Sequence, residues 1–252
     1  MGAALELVPI GVGAAYGRPG EAQSSHLVRA GGTAVLLDLG AGALNRLCAV
    51  QRPETLDLIV ITHMHPDHLA DLLALRVYMA YGPGVGRQVP VLGPPGLRER
   101  LMAFGGDDGW DDAMRFDTIE PEGRTVEVGE VRLRLAQVPH LPPTYAVRAE
   151  AGGASLCYSA DCAAGDELPA LAEGCDLLLA ECSFGTGPVP SPVPHLNAAS
   201  AGALAAEAGV RALALTHVYP EFDLAATAAA AATTFGGPVD WAREGEPIRP
   251  GG

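Results

Sequence analysis

The segment 62–68, with the sequence Thr-His-Met-His-Pro-Asp-His, constrains the fold of this chain more than any other feature. It follows the continuous apolar run 56–61, which predicts a buried strand, and leads into 67–81, where apolar residues recur at helical spacing. Ligands of open α/β sheets bind at the carboxyl ends of such strands. Three imidazoles and a carboxylate buried without a cation would leave several polar groups unpaired, so the motif predicts a metal site. The alternative, a solvated His-rich surface loop, does not account for the strand–loop–helix setting.

Three more potential ligands occupy the same kind of position farther along the chain. Each lies just past an apolar run: His140 after 131–137, Asp161 after 155–158 and His217 after 212–216. Taken singly, each could be a hydrogen-bonded core histidine or a turn aspartate. Together with segment 62–68 they exceed the three protein ligands that one tetrahedral zinc ion needs. We therefore predict two divalent metal ions. Nitrogen and oxygen ligands favour zinc, with manganese or iron as alternatives.

The remaining sequence alternates strand and helix patterns in two stretches that meet at the Gly/Asp-rich segment 105–112. Strand patterns lie at 5–12, 25–29, 34–38, 56–61 and 89–92, and then at 115–119, 125–128, 131–137, 145–149, 155–158, 177–180 and 212–216. Helical patterns lie at 40–50, 67–81, 96–104, 167–173, 197–208 and 224–234, with Asn197 as the predicted N-cap of the fifth. Two β-rich halves with helices outside predict an α/β protein with two sheets packed face to face. Because no linker separates the halves, we expect residues 1–252 to form one domain.

The net charge of the chain bears on whether nucleic acid could be its partner. The chain carries 30 acidic and 16 basic residues, all of the latter arginine, for a formal net charge of −14. A broad nucleic-acid interface needs a basic face, which this balance disfavours. Arginine suits bidentate phosphate binding, but the complete replacement of lysine indicates a compositional bias rather than sixteen phosphate contacts.

The cysteines and the apolar runs bear on the compartment. The cysteines are odd in number and contain no C-x-x-C pair, so we expect reduced thiols in a cytoplasmic protein. They are Cys48, Cys157, Cys162, Cys175 and Cys182. No apolar run reaches the ~20 residues that span a bilayer, and residues 1–12 lack the charged region of a signal peptide, so we expect no membrane partner.

The order H-x-H-x-D-H, lone His, lone Asp, lone His resembles the metallo-β-lactamase superfamily, from segment 9–13 to segment 215–217. The resemblance implies a four-layer αββα sandwich, with two β-sheets flanked by helices. It also implies the ligands of two metal ions: His63, His65 and His140 for one, Asp67, His68 and His217 for the other, and Asp161 as the bridge. Asp38 resembles the family's carboxylate that orients a ligating imidazole, although a plain turn residue is the alternative.

Three further segments resemble the ribonuclease Z-like branch of that superfamily, whose members cleave phosphodiesters. They are 180–184 (Ala-Glu-Cys-Ser-Phe), 195–197 (His-Leu-Asn) and 215–217 (Leu-Thr-His). The resemblance implies that His195 stabilises the reacting phosphate or protonates the leaving group, and that Glu181 orients His195.

Two departures from related patterns limit the substrate. Antibiotic-hydrolysing members of the commonest subclass carry a cysteine where Asp161 stands, which disfavours a β-lactamase. Only 20 residues separate His140 from Asp161, too few for the arm with which ribonuclease Z grips tRNA. The chain therefore resembles a short form without the tRNA-binding arm, and tRNA is disfavoured as a substrate.

These features together predict a metal-dependent hydrolase, and within that class a phosphodiesterase acting on a small or cyclic phosphodiester. The expected nucleophile is a hydroxide shared by two metal ions about 3.5–4 Å apart and held in place by Asp67 and Asp161. A lactonase or thioesterase is the alternative, because the same hydroxide can attack a carbonyl. A catalytically silent metal-binding scaffold is a third reading, which the intact set of seven ligands disfavours. A homodimer would be ordinary for such a protein.

Overall fold

The computed structural model describes residues 3–106 and 109–251. Its first sheet has six strands in the order β1-β2-β3-β4-β5-β6. These are β1 (Glu6–Gly11), β2 (Ser25–Ala30), β3 (Thr33–Leu37), β4 (Leu58–Val60), β5 (Val89–Gly93) and β6 (Met114–Thr118). Strands β1 to β3 pair antiparallel, whereas β3 to β6 pair parallel. The parallel half therefore brings the carboxyl ends of β3 and β4 to the same edge of the sheet.

The second sheet repeats this plan with seven strands in the order β13-β12-β11-β10-β9-β8-β7. They are β7 (Arg124–Val128), β8 (Val131–Val138), β9 (Thr144–Ala151), β10 (Ala154–Tyr158), β11 (Leu177–Glu181), β12 (Leu213–Thr216) and β13 (Val239–Trp241). Strands β7 to β10 pair antiparallel and β10 to β13 pair parallel. The carboxyl ends of β10, β11 and β12 consequently lie side by side.

Helices cover the outer face of each sheet. They are α1 (Ala43–Val50), α2 (Pro66–Leu69), α3 (Leu72–Tyr81), α4 (Leu97–Gly105), α5 (Trp110–Ala113), α6 (Glu167–Ala172), α7 (Ala198–Glu207) and α8 (Leu224–Phe235). One apolar layer lies between the sheets, a second lies between the first sheet and α1 to α5, and a third lies between the second sheet and α6 to α8. The predicted four-layer αββα sandwich is therefore confirmed. Within the two described ranges, no helix combines the length and the apolar character that a membrane crossing requires.

The start of α7 confirms the predicted N-cap. The backbone N–H of Ser200 donates to the side chain of Asn197 at 3.0 Å, and the Asn197 N–H donates to Ser200 Oγ at 2.9 Å. This reciprocal pair satisfies two of the N–H groups that a helix leaves unpaired at its first turn. The helix thus begins directly after the loop that carries His195.

The predicted single helix 67–81 is wrong, because the chain interrupts it between α2 and α3. The carbonyl of His68 accepts the N–H of Leu39 at 2.8 Å, and the N–H of Asp71 donates to the Leu39 carbonyl at 3.1 Å. These bonds replace helical ones and dock α2 onto the end of β3. Gly40 allows the approach, since a Cβ there would lie 2.0 Å from the Asp67 carbonyl oxygen.

The boundary between the two sheets also differs from the prediction. Strand β6 pairs with β5 in the first sheet, so the second sheet begins at β7 rather than after segment 105–112. That segment includes Asp107 and Asp108, which lie outside the described residues, and its end forms α5. The short edge strand β13 and a 3-10 turn at Pro53–Thr55 were not predicted.

Candidate metal centre

The two sheets bring their carboxyl ends together at one site. The first sheet supplies the loop 61–65 after β4 and the start of α2. The second supplies His140 after β8, Asp161 after β10 and His217 after β12. Six of the seven histidines of the chain meet there or beside it, whereas His26 is buried against the ring of Tyr158.

A first group of potential ligands consists of His63, His65, His140 and Asp161, whose ligand atoms lie within 4.8 Å of one another. His65 Nδ1 is 3.1 Å from His63 Nε2 and 3.4 Å from His140 Nε2. Asp161 Oδ2 is 3.6 Å from His63 Nε2. The three imidazole nitrogens thus converge on one point beside the carboxylate.

A second group consists of Asp67, His68, Asp161 and His217, again with ligand atoms within 4.8 Å. His217 Nε2 lies 3.1 Å from Asp67 Oδ2 and 3.5 Å from Asp161 Oδ1. His68 Nε2 lies 3.3 Å from Asp161 Oδ1, yet both atoms are buried without a hydrogen-bond partner. A divalent cation between these atoms would satisfy both, so the residues fit a metal ion.

Asp161 belongs to both groups, and each group takes two residues from each sheet. All seven predicted metal ligands are therefore brought together in the predicted arrangement of two sets joined by one carboxylate. Every one of them is buried except His65, which is partly exposed.

The histidines of the first group are held neutral. Burial lowers the pKa of His63 well below its ordinary value, and the neighbouring His68 lowers it further. Burial also lowers the pKa of His65 and His140. Neutral imidazoles have a free nitrogen lone pair, which is the form that binds metals.

The histidines of the second group differ. Burial lowers the pKa of His68, but the carboxylates of Asp161 and Asp38 outweigh it and hold this pKa well above its ordinary value. The pKa of His217 is raised in the same way, against burial, by Asp161 and Asp67. Burial raises the pKa of Asp161, yet His217 and His68 lower it well below its ordinary range. Without a cation, these imidazoles carry the positive charge that balances the carboxylates.

Asp38 is placed where it can orient His68. Its Oδ2 accepts from His68 Nδ1 at 2.7 Å, which turns His68 Nε2 toward the second group. The same carboxylate accepts from the Thr62 N–H at 2.8 Å, the Thr62 hydroxyl at 2.9 Å and the Tyr158 hydroxyl at 3.1 Å. Four hydrogen bonds hold this fully buried carboxylate in position.

The buried Glu181 and the partly buried His195 form a hydrogen-bonded pair at the edge of the two groups. His195 Nδ1 lies 2.7 Å from Glu181 Oε1, and the His195 ring centroid is 5.0 Å from that of His140. Burial lowers the pKa of His195, but the hydrogen bond and the charge of Glu181 raise it to about 9. The Cys162 N–H also donates to Glu181 Oε1, at 3.1 Å, which ties this carboxylate to the chain just after Asp161.

Several groups at the site were not predicted from the sequence. Ser183 Oγ lies 3.0 Å from His217 Nδ1, and the Pro194 carbonyl lies 2.9 Å from His140 Nδ1. The hydroxyls of Thr62 and Tyr158 bind Asp38. A hydroxyl or a backbone carbonyl has no distinctive spacing in a sequence. The only signal was the position of Ser183, two residues beyond Glu181 in a loop after a buried strand.

Backbone strain is concentrated at the same place. Of the described non-glycine residues, three have a positive φ: Asp38 (62°), Ala160 (51°) and His217 (54°). Each directly follows or closely follows a strand that leads into the site. The left-handed conformation is costly for residues with a Cβ and persists where surrounding structure demands it, typically at functional sites.

One side of the site is bordered by aromatic rings. Tyr16 stacks on Tyr219 with centroids 4.8 Å apart, Tyr219 contacts Phe184 at 5.7 Å, and Phe184 contacts His195 at 6.2 Å. Leu141, directly after His140, is exposed. The mouth of the site is therefore apolar and aromatic along this border.

Comparison with known proteins identifies the family. A protein-family model described as "Beta-lactamase superfamily domain" matches residues 33–218. The chain belongs to this superfamily. It is 32% identical to a ribonuclease Z of Mycobacterium bovis (strain BCG / Pasteur 1173P2) over 86% of this chain and 86% of that protein.

Two solved structures share the architecture. The metallo-beta-lactamase fold protein YhfI from Bacillus subtilis has a TM-score of 0.88 at 26% identity, covering 98% of this chain and 99% of that one. Zn²⁺-bound PqqB from Methylobacterium extorquens has a TM-score of 0.75 at 19% identity, covering 96% and 99%. The chain is thus a metallo-hydrolase of the beta-lactamase superfamily, with ribonuclease Z-like homologues and His/Asp groups suited to a divalent metal.

Proposed function

We propose that this metallo-hydrolase is a phosphodiesterase that acts on a small or cyclic phosphodiester. We propose further that it uses two divalent metal ions and that these are zinc. The observation that carries the proposal is the pair formed by the buried Glu181 and the partly buried His195 beside the two ligand groups. Hydrolysis of a thioester expels a thiolate, which leaves without a proton donor. Cleavage of a phosphodiester expels an alkoxide, which gains from a proton donor at the site.

The ligand groups divide the proposed metal sites. His63, His65 and His140 would hold one ion, Asp67, His68 and His217 the other, and Asp161 both. When bound, such a pair of cations neutralises charge on the phosphoryl oxygens and makes water deprotonate near neutral pH. Asp67 and Asp161 would fix the positions at which this chemistry takes place.

His195 would act as the acid. Its Nδ1–H donates to Glu181, which leaves the Nε2–H as the proton available to a leaving oxygen. Because Glu181 raises the pKa of His195 to about 9, the imidazole carries this proton at neutral pH. The fully buried Glu181 can therefore orient His195 and keep it protonated at the same time.

The surroundings of the site support a small substrate. The net charge of −14 opposes the approach of a long polyanion, and the border of the site formed by Tyr16, Tyr219 and Phe184 is aromatic. Only the 20 residues 141–160 lie between His140 and Asp161, and they form β9, β10 and their turns. We therefore propose a small-molecule substrate in preference to tRNA, although the Mycobacterium bovis relative is named a ribonuclease Z.

Two further proposals concern the state of the protein in the cell. We propose a cytoplasmic location, since the five cysteines do not suit a disulfide framework. We also propose a homodimer, the commonest assembly of soluble proteins, which light scattering at several concentrations would test.

The deciding experiment measures bound metal and substrate preference together. We expect two metal ions per chain and turnover of bis(p-nitrophenyl) phosphate and of cyclic phosphodiesters. His195→Ala should lower kcat for the cyclic phosphodiesters, which expel an alkoxide, by about 10²-fold or more, the range for loss of a general acid. The effect on bis(p-nitrophenyl) phosphate should be smaller, because p-nitrophenolate leaves without a proton donor. Arg211→Ala, with a side chain exposed beside Asp176 and outside the site, is the matched control and should retain activity.

Each alternative function predicts a different result in this experiment. Hydrolysis of lactones or thioesters without phosphodiester cleavage would establish the acyl-hydrolase alternative. Cleavage of precursor tRNA at rates above those for small phosphodiesters would overturn the small-substrate proposal. Metal binding without any hydrolysis would point to the silent scaffold.

A further inference from the structure

We propose that Ser183 is a positioning residue that couples the metal ligand His217 to the Glu181–His195 pair through a directed chain of hydrogen bonds. The inference rests on the proposed function, because it uses the roles given there to His217 and His195. It adds a link between two parts of the site that would otherwise act separately.

The contacts of Ser183 span both parts. Its fully buried hydroxyl oxygen lies 2.7 Å from Glu181 Oε2, 3.0 Å from His217 Nδ1 and 3.3 Å from His195 Nδ1. The Ser183 N–H donates to Glu181 Oε2 at 3.0 Å. The Ser183 carbonyl accepts the N–H of Tyr219 at 3.1 Å, so the loop after β11 is also tied to the chain after His217.

The chemistry of these groups fixes the direction of the chain. A hydroxyl has one proton. Both oxygens of Glu181 already accept N–H groups, from Cys162 and Ser183, so the Ser183 hydroxyl donates its proton to Glu181. Its lone pair then accepts from His217 Nδ1–H. This assigns the Nδ1 proton to His217 and leaves its Nε2 facing Asp67 and Asp161 in the second ligand group. The other carboxylate oxygen accepts from His195 Nδ1, which completes the connection.

A serine, a histidine and a carboxylate in contact also raise the question of a nucleophilic serine. In such triads the serine and the acid bind opposite nitrogens of the imidazole. Here Ser183 and Glu181 both approach Nδ1 of His195, and the serine hydroxyl is fully buried. The geometry therefore assigns Ser183 to positioning and excludes it as the nucleophile.

A second buried serine provides a matched control. Ser159 Oγ accepts the Glu181 N–H at 2.9 Å and donates to the Ala160 carbonyl at 2.7 Å, so its partners are backbone groups alone. Ser159→Ala and Ser183→Ala each remove one buried hydroxyl near Glu181. Only Ser183→Ala removes the hydrogen-bond acceptor of the His217 imidazole.

The test compares Ser183→Ala, Ser183→Thr and Ser159→Ala in the full chain, with Zn²⁺ affinity measured by competition with a chromophoric chelator. We expect Ser183→Ala to weaken one of the two binding steps by about 10–100-fold, the usual effect of removing a group that orients a metal ligand. His217→Ala should abolish that same step. Ser183→Thr, which retains the hydroxyl, should recover the wild-type affinity within about 3-fold, and Ser159→Ala should leave both steps unchanged.

A second measurement detects the Nδ1 proton of His217 directly. In the Zn²⁺-loaded wild type, the imidazole Nδ1–H of His217 should give a protected proton resonance, which Ser183→Ala removes and Ser183→Thr retains. At saturating Zn²⁺, Ser183→Ala should also lower kcat for a cyclic phosphodiester, which expels an alkoxide, by about 10-fold, a part of what a general acid contributes, with little change in KM. Should Ser183→Ala fail to fold, Ser183→Cys, whose thiol is a weaker partner, replaces it in the same measurements.

Unchanged Zn²⁺ affinity and an unchanged His217 resonance in Ser183→Ala would overturn the inference. The affinity and proton measurements do not depend on the substrate. If they succeed while no phosphodiester is cleaved, the link between Ser183 and His217 stands and the proposed function fails. If phosphodiesters are cleaved and these measurements show no effect, the reverse holds.

Discussion

The two ligand groups share Asp161 but differ in the hydrogen-bond partners of their imidazole Nδ1 atoms. In the first, His140 Nδ1 faces the Pro194 carbonyl, and His63 Nδ1 faces the Thr62 hydroxyl, which in turn donates to Asp38. In the second, His68 Nδ1 faces the Asp38 carboxylate directly, and the support of His217 leads through a serine hydroxyl to Glu181. Only the second group therefore has a carboxylate in direct contact with one of its imidazoles.

This difference teaches that two similar-looking ligand sets in one site need not bind alike. A carboxylate behind an imidazole makes its other nitrogen a stronger metal ligand. The second group also includes Asp67 as a ligand, which gives it more negative charge than the first. We expect the second group to bind its divalent ion more tightly, and the first group, with the partly exposed His65, to exchange its ion more readily.

Removal of the shared residue should have the largest effect. Asp161→Ala takes one ligand from each group and removes the carboxylate oxygen 3.3 Å from His68 Nε2, so we expect both metal ions to be lost at ordinary Zn²⁺ concentrations. Turnover should fall by about 10³-fold or more, the scale for losing transition-state charge stabilisation. Metal content by mass spectrometry and turnover on the same sample would check this. Retention of two ions would mean that Asp161 bridges nothing.

Asp38→Asn should lower the metal affinity of the second group more than that of the first. The amide is a poorer acceptor and presents its NH₂ group to part of the four donors around Asp38, so His68 loses its orientation. We expect the affinity of one binding step to fall by about 10–100-fold while the other is retained. Asp176→Asn, where a carboxylate accepts the Ser155 N–H on the far side of the second sheet, is the matched control. An equal loss at both steps would break the proposed contrast.

Proton release should distinguish the groups by pH. The pKa of His68 and of His217 is raised in the metal-free chain, so each keeps to a higher pH than a free imidazole a proton that a cation must displace. The pKa of His63, His65 and His140 is lowered, so these need no deprotonation. Binding to the second group should therefore release protons and strengthen as pH rises from about 6 to 8, whereas binding to the first should change little. Calorimetry in buffers of different ionisation enthalpy measures the difference, and equal release at both steps would contradict it.

The smallest expected effect lies in the backbone beside the shared ligand. Ala160 has a φ of 51°, a conformation that glycine adopts without the steric cost of a Cβ. Ala160→Gly should raise the free energy of unfolding of the metal-free chain by about 0.5 kcal/mol, because relief of strain exceeds the added flexibility of the unfolded chain. Urea denaturation would detect this, with Ala163→Gly at a neighbouring position of ordinary φ as the control. A loss of stability equal to that of the control would show that Ala160 is not strained.

The fold and the ligands could be predicted from the sequence where local pattern and chemistry agree. The apolar run before His63, and the isolated residues His140, Asp161 and His217 after other apolar runs, predicted a common site because parallel strands end at a common edge. Asn197 was predictable because an N-cap depends only on its own first turn.

The remainder depends on contacts between distant segments, which leave no local pattern. Strand β6 joins the first sheet because of its pairing with β5, and the break between α2 and α3 arises from hydrogen bonds to Leu39. Ser183 and Tyr158 are ordinary buried residues until the fold brings them to His217 and Asp38. Their contribution depends on distances that a single sequence does not contain.

Each ligand group draws two residues from each sheet, and the last of them along the chain is His217. A growing polypeptide can pair the strands of the first sheet as soon as they leave the ribosome. It cannot assemble either complete ligand set until Asp161 has been made, nor the second until residue 217. The two groups of potential ligands should therefore be completed in two steps, and both are complete only late in synthesis, after residue 217 has been made.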